Sequence, residues 1–243
     1  MDLHARRALV TGAGHRVGRA IALALGGRGM RVAVHYHSHA DGARETLRSI
    51  ESAGGAGELF AADLTEPTSA NRLISEVADR FGGLDVLVNS AAVMIRTPFG
   101  EITAEQWDGI MALNLRAPFM LAQAAAPHLR AARGAIVNIA DLAAFETWPA
   151  YVPHGLSKAG VVYITRALAR LLAPEVRVAG VAPGTVLLPA HWRESDEERL
   201  RRTTPLQRSG SPADVTATVL FILESDYLTG ETIIVDGGRH VRV

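Results

Sequence analysis

In the stretch YVPHGLSK, Tyr151 to Lys158, an imidazole precedes an ammonium by four residues. On a helix that spacing places His154 and Lys158 one above the other on the same face. Imidazoles exchange a proton near neutral pH, so His154 is a candidate acid and Lys158 the charge that tunes it. A second cluster, Thr11-Gly12-Ala13-Gly14-His15-Arg16-Val17-Gly18, follows an apparent strand and opens an apparent helix. Glycines there let the backbone turn sharply and approach a pyrophosphate, while the helix N-terminus offers unpaired N–H groups. That context favours a dinucleotide site over a plain tight turn. The next strand ends in His35-Tyr36-His37-Ser38-His39 and carries no acid to hold the ribose hydroxyls of NAD. The Arg16 guanidinium, the Ser38 hydroxyl and His37 are donors suited to a 2′-phosphate. NADP(H) is therefore the expected cofactor, with a solvent-facing Arg16 as the alternative. The alternating histidines 35, 37 and 39 lack a nearby carboxylate cluster, so no metal is expected.

The elements that must position these groups alternate in type. RALVT leads into a helix from about Val17, RVAVHY into one from about Asp41, and ELFAAD into one from about Thr68. LDVLVN, AIVNIA and VRVAGVAP continue the series and TIIVDGG closes it. Such alternation predicts βαβ units with right-handed crossovers, and strands apolar on both faces predict a sheet covered on both sides. The expected fold is α/β: one doubly wound Rossmann domain over residues 1–243, with a seven-stranded parallel sheet flanked by helices on both faces. In the first helix Val17, Ile21 and Leu25 recur every four residues, with Ala20 and Ala24 beside them for close packing. After the sixth strand an insertion, about 184–211, runs from PGTVLLPAHW into the charged RESDEERLRR. The charged run suits a solvated helix face. Its place beyond the carboxyl end of a strand suits a substrate cover.

Bulk properties narrow the partners. With 243 residues, 48% of them hydrophobic, the chain can bury one large core. Lys+Arg and Asp+Glu stand at 25 each, so no global field draws the protein to nucleic acid or an anionic membrane. The absence of cysteine excludes disulfides and thiolate metal sites. No apolar run approaches the roughly 20 residues that span a bilayer, and MDLHARRALVTG enters its strand without a signal-peptide pattern. A soluble cytoplasmic protein acting on a small molecule is expected.

Along its whole length the chain resembles the short-chain dehydrogenase/reductase family. The TGxxxxxG loop, Asp63 in AADL, Asn89 in LVNSAA, Asn114 in ALNLRAPF, the Ser157-Lys158 pair, the Pro183-Gly184 turn and the terminal VDGG appear in the family's order. Several features resemble its pteridine reductase and dihydromonapterin reductase branch: Arg16 for the middle glycine of the loop, HYH after the second strand, Asp141 where most members have a serine, and the segments GVAPGTVLLP and VDGGRH.

The resemblance implies a tetrad at Asn114, Asp141, His154 and Lys158, with His154 where the family has a tyrosine. Lys158 would hold the nicotinamide ribose, Asn114 a relay water, and Asp141 would share proton delivery as hydride enters a pterin C=N bond. Within hydrogen-bond reach, Asp141 would favour the His154 imidazolium and Lys158 would oppose it. Reduction would then be fastest in mildly acidic buffer. Tyr151, about 10 Å from Lys158 along the helix, suits a packing or cofactor-lining role. Cofactor contacts are implied at Gly12, Arg16, Val17, Gly18, His37, Ser38, Asp63, Leu64, Asn89, Ala91, Lys158, Pro183, Gly184 and Val186. Substrate contacts are implied at Met94, Leu188 and Trp192. Met94 stands where parasite pteridine reductases stack a phenylalanine on the pterin; its polarizable sulfur can still cover a flat ring.

The expected function is NADPH-dependent reduction of a dihydropteridine, dihydromonapterin or dihydrofolate. A carbonyl or quinone reductase is the alternative, and a catalytically impaired NADP(H)-binding sensor or partner subunit is the reading from another class. A homotetramer is expected through the helices after the fourth and fifth strands. The first of these is apolar around Phe119, Met120, Leu121 and Ala124 to Ala126, with core packing inside the monomer as the competing account.

Overall fold

The apolar runs form seven strands in a computed structural model that describes residues 1–188 and 193–241. They are β1 (Arg7–Val10), β2 (Arg31–Tyr36), β3 (Ala56–Ala61), β4 (Val86–Asn89), β5 (Ala135–Ile139), β6 (Arg177–Pro183) and β7 (Thr232–Val235). All pair in parallel, in the order β3-β2-β1-β4-β5-β6-β7. The direction of winding reverses between β1 and β4, and at such a switch point the carboxyl ends of the strands open a crevice for a ligand.

Side chains alternate across the sheet with the period of two that a strand imposes. Val10, Val34, Val88, Val137 and Val181 face one layer, against α1 (Arg16–Gly26), α2 (Ala40–Ser52) and α8 (Pro212–Glu224) through Ile21, Leu25, Ile50, Val215, Val219 and Ile222. Leu9, Leu87, Ile136 and Val178 face the other, against α3 (Ser69–Phe81), α5 (Ala117–Ala132) and α6 (Val152–Leu172) through Leu73, Val77, Leu121, Ala125 and Leu168. Each such aliphatic side chain contributes about 1.5–3 kcal/mol on burial. Removing either layer would therefore expose one whole face of the sheet.

Two further elements shape the crevice. α4 (Ala104–Met111) passes into a π-helical turn, Ala112–Arg116, before α5 begins; turns of this kind re-aim side chains and recur at functional sites. Beyond β6, α7 (Glu194–Thr203) buries only Leu200 and carries Asp196–Arg199 and Glu198–Arg201 pairs at i,i+3 spacing. It has the solvated face expected of the charged run. Among the described residues no helix is long and apolar enough to cross a membrane.

Candidate active site

α6 starts with Tyr151 at its N-cap and Pro153 in its first turn, where a missing N–H removes no helical bond. His154, Ser157 and Lys158 follow on its buried face. The His154 Nδ1 atom lies 3.2 Å from the Val93 carbonyl oxygen and 3.4 Å from Asn114 Nδ2. Asn114 donates its two amide hydrogens elsewhere, to the Val93 carbonyl at 2.9 Å and to Ser157 Oγ at 3.1 Å. The hydrogen between ring and Val93 thus belongs to Nδ1. Nε2 is buried and makes no hydrogen bond among the described residues. Leaving such an atom unpaired costs about 1–3 kcal/mol, a cost that a ligand atom would remove.

Asp141, Lys158 and Asn114 complete the site. Asp141 caps the short 3-10 turn Leu142–Ala144: its Oδ1 accepts from the Ala143 N–H at 2.8 Å, and its Oδ2 lies 3.8 Å from His154 Nε2. That distance is beyond a hydrogen bond, and it leaves the carboxylate facing the buried ring nitrogen. Lys158 Nζ donates to the Ile139 carbonyl at 2.8 Å, and burial pushes its ammonium down to about 8, opposed by the charge of Asp141. Asn114 grips Val93 by both backbone groups, its Oδ1 accepting from the Val93 N–H at 2.8 Å. With its amide engaged in this way, the Asn114 side chain holds a loop. The π-helical turn is what points it at Val93.

At the other end of the crevice the glycine loop is closed to side chains. Gly12 has φ +67°, and an added Cβ would lie 2.9 Å from Ala91 Cα; at Gly18 it would lie 2.3 Å from the Gly12 carbonyl oxygen. His15 occupies the N-cap of α1 without capping it through its side chain, so the first-turn N–H groups have no capping partner there. This donor set fits a pyrophosphate. The Thr11 hydroxyl accepts from the Ser90 and Ala91 N–H groups at 2.9 and 3.0 Å, fastening the loop to the one after β4. Arg16 has φ +51°, a left-handed conformation that costs a non-glycine residue about 1–2 kcal/mol. Its Nη2 reaches the Leu187 carbonyl at 3.4 Å, which ties the loop to the start of the insertion. Asp63 accepts from the Thr65 hydroxyl at 2.6 Å and the Thr65 N–H at 2.9 Å, and these bonds hold its carboxyl below the usual range.

Several of the expected contact residues have buried side chains. Leu64 and Val186 place their side chains in the core, leaving only backbone for a ligand. Asn89 is buried too: its Nδ2 donates to Asn138 Oδ1 at 2.9 Å, and Asn138 donates in turn to Thr165 Oγ1 at 2.9 Å. A strand covered on both faces must pair its polar side chains internally. Gly184, next to Pro183 at the end of β6, is small because Asp236 passes by; an added Cβ would lie 2.8 Å from Asp236 Cβ. Val17 and Ala91 are half-buried at the loop, whereas His37 and Ser38 are exposed. Met94 is exposed and Leu188 half-buried near the crevice mouth. Trp192 lies outside the described residues. Among those described, no group of His, Cys, Asp or Glu could hold a metal ion.

Sequence reasoning weighed His35 only as a metal ligand and missed its bridging role. Its Nδ1 accepts from the Gly12 N–H at 3.1 Å and its Nε2 lies 3.1 Å from the Ala62 carbonyl. One ring thus ties β2 to the glycine loop and to the exit of β3. Burial pushes its imidazole down to about 4, so it is neutral at pH 7. The available signal was a polar residue inside the otherwise apolar RVAVHY run. Asn138 within AIVNIA gave the same signal.

Known proteins resemble the chain along most of its length. A sequence model of the family described as enoyl-(acyl carrier protein) reductase matches residues 12–240. The 3beta-hydroxysteroid dehydrogenase 1 of Eggerthella lenta is 33% identical over 246 residues, spanning 98% of this chain and 94% of the relative. The 3-oxoacyl-(acyl-carrier-protein) reductase FabG of Staphylococcus aureus is 34% identical over 242 residues, spanning 97% and 98%. Among solved structures, the angucycline C-6 ketoreductase LanV with bound NADP has a TM-score of 0.92 at 33% identity, covering 99% of this chain and 98% of that one. None of these three relatives is named for a pterin. A seven-stranded parallel sheet wound around a glycine loop, matched end to end by these reductases, shows that the chain belongs to the short-chain dehydrogenase/reductase family of oxidoreductases.

Proposed function

We propose that the protein is an NADPH-dependent carbonyl reductase in which His154 delivers the proton to the nascent alkoxide. The observation that carries this reading is the buried, unpartnered Nε2 of His154 beside the Asp141 carboxylate at 3.8 Å. Because Nδ1–H is fixed on Val93, the neutral ring presents a lone pair at Nε2 and only the imidazolium presents a transferable proton. The Asp141 carboxylate faces that nitrogen at 3.8 Å. Bound NADPH supplies the hydride. The uncapped N–H groups of the glycine loop hold its pyrophosphate. Lys158, with one hydrogen on Ile139, keeps two for a ribose hydroxyl.

A carbonyl suits the site better than a pterin C=N bond. The relatives are named for oxidation or reduction at hydroxyl and keto groups, and the residues that suggested a pterin have other work: Asp141 supports His154, and Arg16 bridges to Leu187. Met94 and Leu188 offer apolar walls that suit a ketone or quinone on a hydrophobic skeleton. The assembly we propose is a homotetramer built on the groove between α4, α5 and α6.

The test follows NADPH oxidation with a panel of ketones, quinones and dihydropterins. Ketone turnover is expected, with kcat reduced about 100-fold or more in His154→Ala and NADPH affinity little changed. Full kcat in His154→Ala rejects the reading. Tight NADPH binding without turnover on the whole panel points to the cofactor sensor, and preference for dihydropterins returns the protein to the pterin branch.

A further inference from the structure

The insertion after β6 is closed at its base by the C-terminal turn. Where the insertion starts, the Gly184 N–H donates to the Val235 carbonyl at 2.9 Å, and a Cβ on Gly184 would lie 2.8 Å from Asp236 Cβ. Near its end, the Leu206 N–H donates to the Gly237 carbonyl at 3.1 Å. Gly237 and Gly238 have φ +69° and +89°, left-handed values that glycine adopts without strain. They also have no room for side chains: a Cβ on Gly237 would lie 2.7 Å from Thr204 Cγ2, and one on Gly238 would lie 3.2 Å from Pro205 Cβ. One turn thus meets the insertion where it leaves the sheet and where it returns.

The Asp236 carboxylate shapes that turn from inside. Its side chain is 2% exposed; Oδ1 accepts from the Gly238 N–H at 2.9 Å, and Oδ2 accepts from the His240 N–H at 2.7 Å and meets His240 Nδ1 at 2.8 Å. Burial pushes this carboxyl up, but these bonds outweigh it and hold the group below the usual carboxylate range. A carboxylate can only accept, so Nδ1 carries the hydrogen. α7 takes its seat on the same turn. Among the described residues, Glu194 to Arg202 keep their hydrogen bonds and ion pairs within the helix and its ends. The helix is anchored by buried Leu200 and Thr204, with Thr204 Oγ1 donating to the Leu200 carbonyl at 2.8 Å. A cavity of about 530 Å³ lies beside this anchor, lined by Leu200, Thr204, Ile234 and His240, so packing alone does not fix it.

Resting on the carbonyl-reductase reading above, with the insertion as substrate cover, we propose that Asp236 and His240 are positioning residues for the ketone. Their clasp at the base of the insertion sets where Leu188 and α7 stand over the crevice. Both act through the turn, since their bonds go to each other and to its backbone. When the ring's hydrogen bond is lost, the Gly238 and His240 N–H groups still hold the carboxylate, so the fold survives while the seat of Thr204 and Pro205 loosens. Binding a ketone must then first order the cover, which weakens binding and leaves the chemistry of the ordered complex unchanged.

Steady-state kinetics with a ketone that the wild type reduces, calorimetry with NADPH and limited trypsin digestion test this on wild type, His240→Ala and His240→Asn. Alanine deletes the side-chain donor; asparagine brings an amide Nδ2 close to where the imidazole Nδ1 stood. In His240→Ala the ketone KM is expected to rise about three- to tenfold, the effect of one lost hydrogen bond, with kcat and NADPH affinity little changed. Trypsin should cut α7 faster at Arg199, Arg201 and Arg202 while the melting temperature stays close to wild type. His240→Asn should return KM and cleavage toward wild type. An unchanged KM in His240→Ala, α7 cleavage at the wild-type rate, or losses of NADPH affinity and melting temperature that parallel the KM change overturn the inference. Failure of His240→Ala to fold overturns it too, since the clasp would then hold the domain and not the cover. Absence of ketone turnover by wild type overturns the carbonyl-reductase reading, and the α7 cleavage rates then decide the clasp by themselves.

Discussion

At the scale of single residues, the site works through a division of the His154 ring: Nδ1 is anchored to Val93 and Nε2 is free for chemistry. Burial pushes the Lys158 ammonium down to about 8, so its hold on a ribose hydroxyl, and turnover with it, is expected to fall as pH rises past about 8. A level profile across pH 7 to about 9 would remove Lys158 from that role. Asp141→Asn deletes the charge facing Nε2; kcat should fall about tenfold or more, and an unchanged kcat would show that the 3.8 Å contact is catalytically silent. Asn114→Ala frees Val93 and the ring together. It should lower kcat more than it raises KM, because it loosens the acid and leaves the pocket walls in place.

At the scale of elements, two buried polar devices hold the strands that carry the site. His35 is neutral in the fold, its imidazole pushed from 6.5 down to about 4 by burial, whereas the unfolded chain protonates it below about pH 6.5. Stability from this group is therefore complete above pH 6.5 and lost as pH falls toward 4, by about 3 kcal/mol at most. Denaturant melts at pH 7 and pH 4.5 should show wild type losing more than His35→Gln over that interval; equal losses would contradict the neutral bridge. The Asn89–Asn138–Thr165 chain joins β4, β5 and α6. Asn138→Leu leaves two buried partners unpaired and should cost about 2–4 kcal/mol in the same melts.

At the scale of the whole molecule, the groove between α4, α5 and α6 leaves Phe119 and Tyr163 exposed, at 39% and 72%, beside Met111 and Leu115. Exposed aromatic and aliphatic side chains in one groove favour a protein contact over solvent. A Phe119→Glu, Tyr163→Glu variant is expected to sediment as a smaller species than wild type while keeping its helical signal. An unchanged sedimentation coefficient would place the assembly elsewhere. Neither substitution touches the sheet layers, so folding and association can be read separately.

Much of this organisation was legible in the chain. The seven strands, the helix starts near residues 17, 41 and 68, the glycine loop and the shared face of His154 and Lys158 all follow from local periodicity and turn chemistry, which depend on residues close in sequence. Other features were not. The side chains of Asn89, Leu64 and Val186 face the interior, and the Asn114 side chain grips Val93. The His35 bridge, the seat of Thr204 on the Gly237 turn and the 3.8 Å approach of Asp141 to His154 join residues that only the sheet order and the meeting of loops bring together. Periodicity says which face of an element a side chain occupies; what stands opposite that face is set by how the layers pack.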